Sequence, residues 1–65
     1  MSIDRKRLVR YIKRNQIRPE QLAADSGLSF ATIRNVLSGR HKPYPHTLRL
    51  IAEAAGYEEE TEERE

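Results

Sequence analysis

Apolar side chains recur every three or four residues in four segments of the chain, which is the spacing of one face of an α-helix. In the first segment the apolar stripe is formed by Leu8, Tyr11 and Ile12, and the basic side chains lie mostly away from it. The pattern predicts four helices. The first begins at residue 2 or 3 and ends at 15, and the other three span residues 19–26, 30–38 and 45–55. We therefore expect an all-α fold, a compact bundle of four helices around one small core.

Residues at the predicted helix ends have the chemistry that capping requires. Pro19 suits the first position of a helix, because its φ is fixed and it has no N–H to leave unpaired. Ser29 can cap the start of the third helix, whereas Gly27 and Gly39 can adopt the left-handed conformation that ends a helix. Arg18 stands at the cap position before Pro19 and cannot accept a hydrogen bond there, so we expect this helix start to be weak.

Residues 19–38 carry small and apolar residues at the positions a helix-turn-helix requires. Ala23 is small enough for two helices to cross, Gly27 permits the turn, and Ile33 and Val36 face the core. These spacings also occur in helical hairpins that bind nothing, but here a basic loop and a fourth apolar repeat follow. The order resembles the Cro/C1-type repressors, the lambda-repressor-like or XRE family, over about residues 5–57 and most closely over 22–43.

The resemblance implies a transcriptional regulator, most simply a repressor, that binds double-stranded DNA with helix 30–38 in the major groove. Departures from the family pattern include one in the core and one at the C-terminal end. A buried Arg–Glu pair that is frequent in the family is replaced by Ile12 and Leu37, for which we expect a direct core contact. The family's fifth helix, which often forms the dimer interface, has no apolar counterpart in residues 58–65. We therefore expect no packed fifth helix. The sequence leaves two possibilities undecided: a frayed helical extension past Tyr57, and a homodimer.

The outer face of the third helix is the predicted reading surface. At about 100° per residue, it is opposite the core-facing side and comprises Ala31, Arg34, Asn35 and Ser38. Arg34 matches guanine O6 and N7, Asn35 matches adenine N6 and N7, and Ala31 suits a thymine methyl. Phe30 is an additional base-contact candidate with two alternatives: packing over Leu37, or contact with a thymine methyl or a sugar.

Phosphate contacts are expected from side chains that surround this helix. The loop 39–44 is basic and adjoins the reading surface, and the start of the second helix approaches the opposite strand. The candidates are Arg18, Gln21, Ser29, Thr32, Arg40, His41 and Lys42.

Charge divides the chain into a basic domain and an acidic tail. Residues 1–57 contain eleven Lys and Arg against four Asp and Glu, whereas residues 58–65 contain one Arg against six Glu. The basic part is expected to attract DNA phosphates. We expect the tail to be disordered, and either to compete with phosphate for the basic surface or only to keep the protein soluble.

Catalytic and ligand-binding chemistry has few candidate residues. Cysteine is absent, and His41 and His46 have no carboxylate at a metal-ligand or catalytic spacing. We therefore expect neither enzymatic activity nor a bound metal or other cofactor. No small-molecule ligand is evident, and no segment is long and apolar enough for a membrane, which makes a cytoplasmic protein the expectation. The alternative function is a protein-interaction module on the same fold, such as an antitoxin or adaptor subunit, which would bind through the Phe30 surface.

Overall fold

A computed structural model describes residues 3–40 and 42–58 of the chain, and within them the secondary structure is entirely α-helical. The helices are α1 (Arg5–Arg14), α2 (Pro19–Ser26), α3 (Phe30–Ser38) and α4 (Pro45–Ala55). The predicted bounds of α2, α3 and α4 are confirmed. His41 and all of the predicted tail except Glu58 lie outside the described residues. A helical extension through the tail is therefore not tested.

The predicted start of α1 was wrong by two or three residues. Asp4 is the N-cap, in extended conformation, and its carboxylate accepts a hydrogen bond from the Lys6 backbone N–H at 3.0 Å. A carboxylate that binds the first free N–H groups begins a helix directly after itself, which is at Arg5. At the other end the helix stops at Arg14, one residue before the predicted end, because Gln16 has a positive φ of 56° that turns the chain away.

The predicted caps of α2 and α3 are confirmed. Gly27 and Gly39 have φ of 80° and 75°, the left-handed region in which a Cβ is unfavourable. Ser29 Oγ accepts a hydrogen bond from the Thr32 backbone N–H at 3.1 Å and so fixes the first turn of α3. Arg18 makes no side-chain cap bond to α2, as its chemistry predicted.

The core lies where all four helices meet. Helix α2 packs on both α3 and α4, and α1 crosses α3 and α4. The buried side chains that form one continuous cluster are Leu8, Ile12, Leu22, Ile33, Val36, Leu48, Ile51 and Ala52. Because α3 contributes Ile33 and Val36 to this cluster, the opposite side of α3 has to face outward.

The two apolar residues at the family's charged positions both lie against this core. Ile12 is 1% exposed, and Leu37 is half-buried and packs against the cluster that contains Ile12. An apolar pair in these places avoids the desolvation of two charges. Direct contact between Ile12 and Leu37 stays a prediction.

Candidate nucleic-acid interface

The turn between α2 and α3 is held by short local hydrogen bonds and one anchored side chain. Ser26 Oγ accepts from the Leu28 backbone N–H at 3.2 Å, and the Leu28 side chain packs against the core. The hydroxyls of Ser29 and Thr32 share a hydrogen bond of 2.9 Å at the start of α3. Because both sides of the turn are fixed in this way, the angle at which α3 leaves α2 is set by the fold.

The four side chains predicted to read bases lie together on the outer side of α3. Around one shallow hollow, here called the α3 hollow, are Ala31, Arg34, Asn35, Ser38 and Arg40. All are exposed except Asn35, which is half-buried. The Ser38 hydroxyl donates to the Asn35 backbone carbonyl at 3.2 Å, so its proton is engaged within the helix. Arg40, predicted as a phosphate contact, adds a second guanidinium to the rim of this hollow.

Phe30 contacts Arg34, an arrangement that neither sequence-based alternative included. The Arg34 Cζ atom lies 5.8 Å from the centroid of the Phe30 ring, within the range of a cation–π interaction. The ring itself is 43% exposed. Phe30 therefore contacts the guanidinium and still keeps part of its ring open to solvent. The two earlier alternatives, packing over Leu37 and contact with a thymine, stay open.

The described phosphate candidates lie in two parts of the fold, beside α3 and at the start of α2. Lys42 and Thr32 line a second hollow together with Asn35, so the basic loop adjoins the reading surface directly. Arg18 and Gln21 are exposed at the first turn of α2. Tyr44 at the N-cap of α4 makes no side-chain cap bond. Pro45 has no N–H and the Thr47 N–H donates to the Tyr44 carbonyl at 3.0 Å, so the His46 N–H is the donor that this first turn leaves for water or an anion.

Arg5 is a residue that the sequence reasoning missed. Its side chain is half-buried, and Nη1 donates to the Val36 backbone carbonyl at 3.3 Å. The guanidinium also lies beside Gly39, where a Cβ would come within 3.4 Å of Nη1 and Nη2. A cation at the C-terminal end of a helix is favoured by the helix dipole. Arg5 thus ties the first turn of α1 to the last turn of α3, across a sequence separation that no local pattern reveals.

Replacing Arg5 by alanine is expected to loosen the end of α3. Arg5→Ala removes one hydrogen bond and one favourable charge, so the free energy of unfolding should fall by about 0.5 to 1.5 kcal/mol. Urea denaturation measures the loss, and hydrogen exchange at the Gly39 and Arg40 amides reports where it acts. Lys6→Ala, which removes an exposed neighbouring cation, is the control. Equal effects of both variants would show that the contact with Val36 contributes nothing.

The described residues offer neither a metal cluster nor a membrane-spanning helix. Within residues 3–40 and 42–58 no three His, Cys, Asp or Glu side chains lie close enough together to hold a metal ion. In the same part of the chain, no helix has the length and apolar character needed to cross a membrane.

Two helices joined by a glycine turn, with an exposed polar face on the second, define the class of helix-turn-helix domains. A model of the helix-turn-helix family matches residues 7–61. The chain belongs to this family, the Cro/C1-type or XRE helix-turn-helix proteins, which are DNA-binding transcription regulators. Searches of curated proteins and of solved structures each found no significant match.

Proposed function

We propose that this protein is a sequence-specific transcriptional repressor that reads the major groove of double-stranded DNA with α3. The observation that carries the proposal is the α3 hollow, where Arg34 and Asn35 lie together on the side of the helix away from the core. Both side chains have paired hydrogen-bonding groups that fit the major-groove edges of guanine and adenine. Binding over a promoter would block transcription without any catalytic step.

The roles of the described residues are assigned from their places in the fold, and that of His41, which lies outside the described residues, from the basic sequence of its loop. Ala31, Arg34, Asn35 and Ser38 contact base edges, and Phe30 either holds Arg34 in place or touches a thymine methyl at the edge of the site. The surrounding side chains bind phosphate and set the register: Arg18, Gln21, Ser29, Thr32, Arg40, His41 and Lys42. This division predicts that substitutions in the two groups affect binding differently.

Substitution of a reading residue should reduce specific binding alone. Arg34→Ala and Asn35→Ala are each expected to cost about 1 to 3 kcal/mol on the preferred duplex and little on scrambled DNA. Lys42→Ala should weaken both duplexes alike, because it removes only a phosphate contact. The preferred duplex is first obtained by binding-site selection, and competition binding then measures each variant.

Arg49→Ala is the matched control for these variants. Arg49 is an exposed cation on α4 with no role in the proposed interface, so its loss should leave both affinities nearly unchanged. If Arg34→Ala, Asn35→Ala and Lys42→Ala all lowered the two affinities equally, the surface assigned to the groove would be the wrong one.

The alternative function is a protein-interaction module, and the exposed edge of Phe30 is the observation that favours it. An antitoxin or adaptor subunit would bury this ring against a partner protein. The two functions differ in salt dependence, since an apolar interface is much less sensitive to salt than a phosphate interface.

A homodimer and a cytoplasmic location complete the proposal. Dimers of this class bind two half-sites about one helical turn, roughly 34 Å, apart. Sedimentation at several protein concentrations would test the dimer, and a palindrome in the selected DNA sites would support it. The cytoplasmic location is proposed because a promoter-binding protein has to reach the DNA it regulates.

A further inference from the structure

Helix α1 carries a cationic surface that the proposed DNA interface does not use. Six of its ten residues are Lys or Arg, and all of these except Arg5 are exposed. Two shallow hollows lie along the helix. Arg10 and Arg14 contribute to both, Lys13 to one and Arg7 to the other. Neither shares a residue with the α3 hollow. We call the residues Arg7, Arg10, Lys13 and Arg14 the α1 cationic face.

The end of the folded domain returns to this same face. The rings of Tyr57 and Tyr11 lie with centroids 5.2 Å apart at an interplanar angle of 59°. The Tyr11 hydroxyl donates to the Gly56 backbone carbonyl at 3.4 Å. Tyr57 also lines the hollow that contains Arg7, Arg10 and Arg14. Since Tyr57 lies at α1, the next residue, Glu58, leaves the domain beside these guanidinium groups.

The chain that follows has the opposite charge and sufficient length. Residues 58–65 contain six Glu and one Arg. An extended chain spans about 3.3 Å per residue, so eight residues exceed the length of α1, which is about 15 Å at 1.5 Å per residue. A short tether holds the carboxylates near α1 at an effective concentration in the millimolar range.

We propose that residues 58–65 dock on the α1 cationic face of the same molecule, through ion pairs between the Glu side chains and Arg7, Arg10, Lys13 and Arg14. Exposed ion pairs are individually weak, so several act together and the docking is sensitive to salt. The tail neutralises the cations of α1 and leaves α3 and the basic loop as the surface that attracts phosphate. This arrangement differs from competition at the α3 hollow, because the tail begins at α1.

A spin label on the tail tests the proposal without any DNA. The natural chain contains no cysteine, so Glu63→Cys provides a single attachment site. In low salt, paramagnetic broadening of backbone amide signals is expected along α1, from Arg7 to Arg14, and not along α3. At about 1 M salt, where the Debye length is only about 3 Å, the broadening of α1 should be lost.

Variants in which Gln replaces charged residues distinguish docking through ion pairs from a tail that is near α1 only because it is tethered there. A labelled chain with Glu59→Gln, Glu60→Gln and Glu62→Gln has the same tether with less charge, and should broaden α1 much less. The double variant Arg10→Gln, Arg14→Gln removes two cations of α1 instead of tail carboxylates, and it should reduce the broadening of α1 in the same way. Arg49→Gln, on α4, is the matched control and should leave the broadening of α1 intact.

Three results would overturn the proposal. Equal broadening of α1 by the parent tail and the less charged tail would show that tethering alone brings the label near. Selective broadening of α3 and the Arg40 loop would locate the tail on the DNA surface. Broadening found only on an unlabelled, isotope-enriched copy mixed with labelled protein would mean that the tail binds a second molecule.

Discussion

Raising the salt concentration from about 50 mM to about 200 mM is expected to weaken duplex-DNA binding by about 200- to 1,000-fold. The estimate assumes that one domain neutralises about four to six phosphates, so that the logarithm of affinity falls with the logarithm of salt at a slope of roughly −4 to −5. The proposed interface contains four exposed cations, Arg18, Arg34, Arg40 and Lys42, which account for the lower end of this range. Titration of a labelled duplex at several salt concentrations gives the slope.

A single-site variant makes the salt experiment more specific. Lys42→Ala should reduce the magnitude of the slope by about one, because one phosphate contact is lost. Arg49→Ala removes the same charge from a helix outside the proposed interface and should leave the slope unchanged. A slope near zero for the parent protein would remove the DNA-binding proposal and favour the protein-interaction module, whose interface would be centred on Phe30.

Three helices could be bounded from the sequence because their end signals are local. Pro19 and Ser29 mark starts, and Gly27 and Gly39 mark ends, through backbone chemistry that depends on little beyond the adjacent residues. The start of α1 was misplaced although Asp4 is an equally local signal, because the apolar stripe of Leu8, Tyr11 and Ile12 fixes the face of the helix but not its first residue. Cap chemistry decided the boundary where apolar periodicity was ambiguous.

The outward direction of α3 was also predictable, since helical periodicity sets the exposed side once Ile33 and Val36 are buried. Helical periodicity does not predict which distant segments of the chain contact each other. Arg5 reaches Val36 over 31 residues of chain, and only the packing of α1 on α3 brings the two together. The contact between Phe30 and Arg34 is local, at one helical turn, and aromatic–cation spacing was the signal that could have revealed it.

Truncation of the core is the second large effect, and it is expected to unfold much of the protein. A single core of this size supplies only about 3 to 5 kcal/mol of net stability. Ile12→Ala removes a side chain that is 1% exposed, at a cost of about 2 to 5 kcal/mol. Leu37 is half-buried, so Leu37→Ala should cost less, at about 2 kcal/mol. Thermal melts followed by circular dichroism compare both variants with the parent.

Charge substitutions test whether Ile12 and Leu37 touch. Ile12→Arg or Leu37→Glu alone introduces a charge against an apolar neighbour, and each should destabilise more than the corresponding alanine variant. Together they would recreate the charged pair frequent in the family. If the side chains are in contact, the double variant should be more stable than the sum of the single losses predicts, by about 0.5 to 3 kcal/mol. Strictly additive losses, or a Leu37→Glu protein as stable as the parent, would show that the two positions do not share a buried contact.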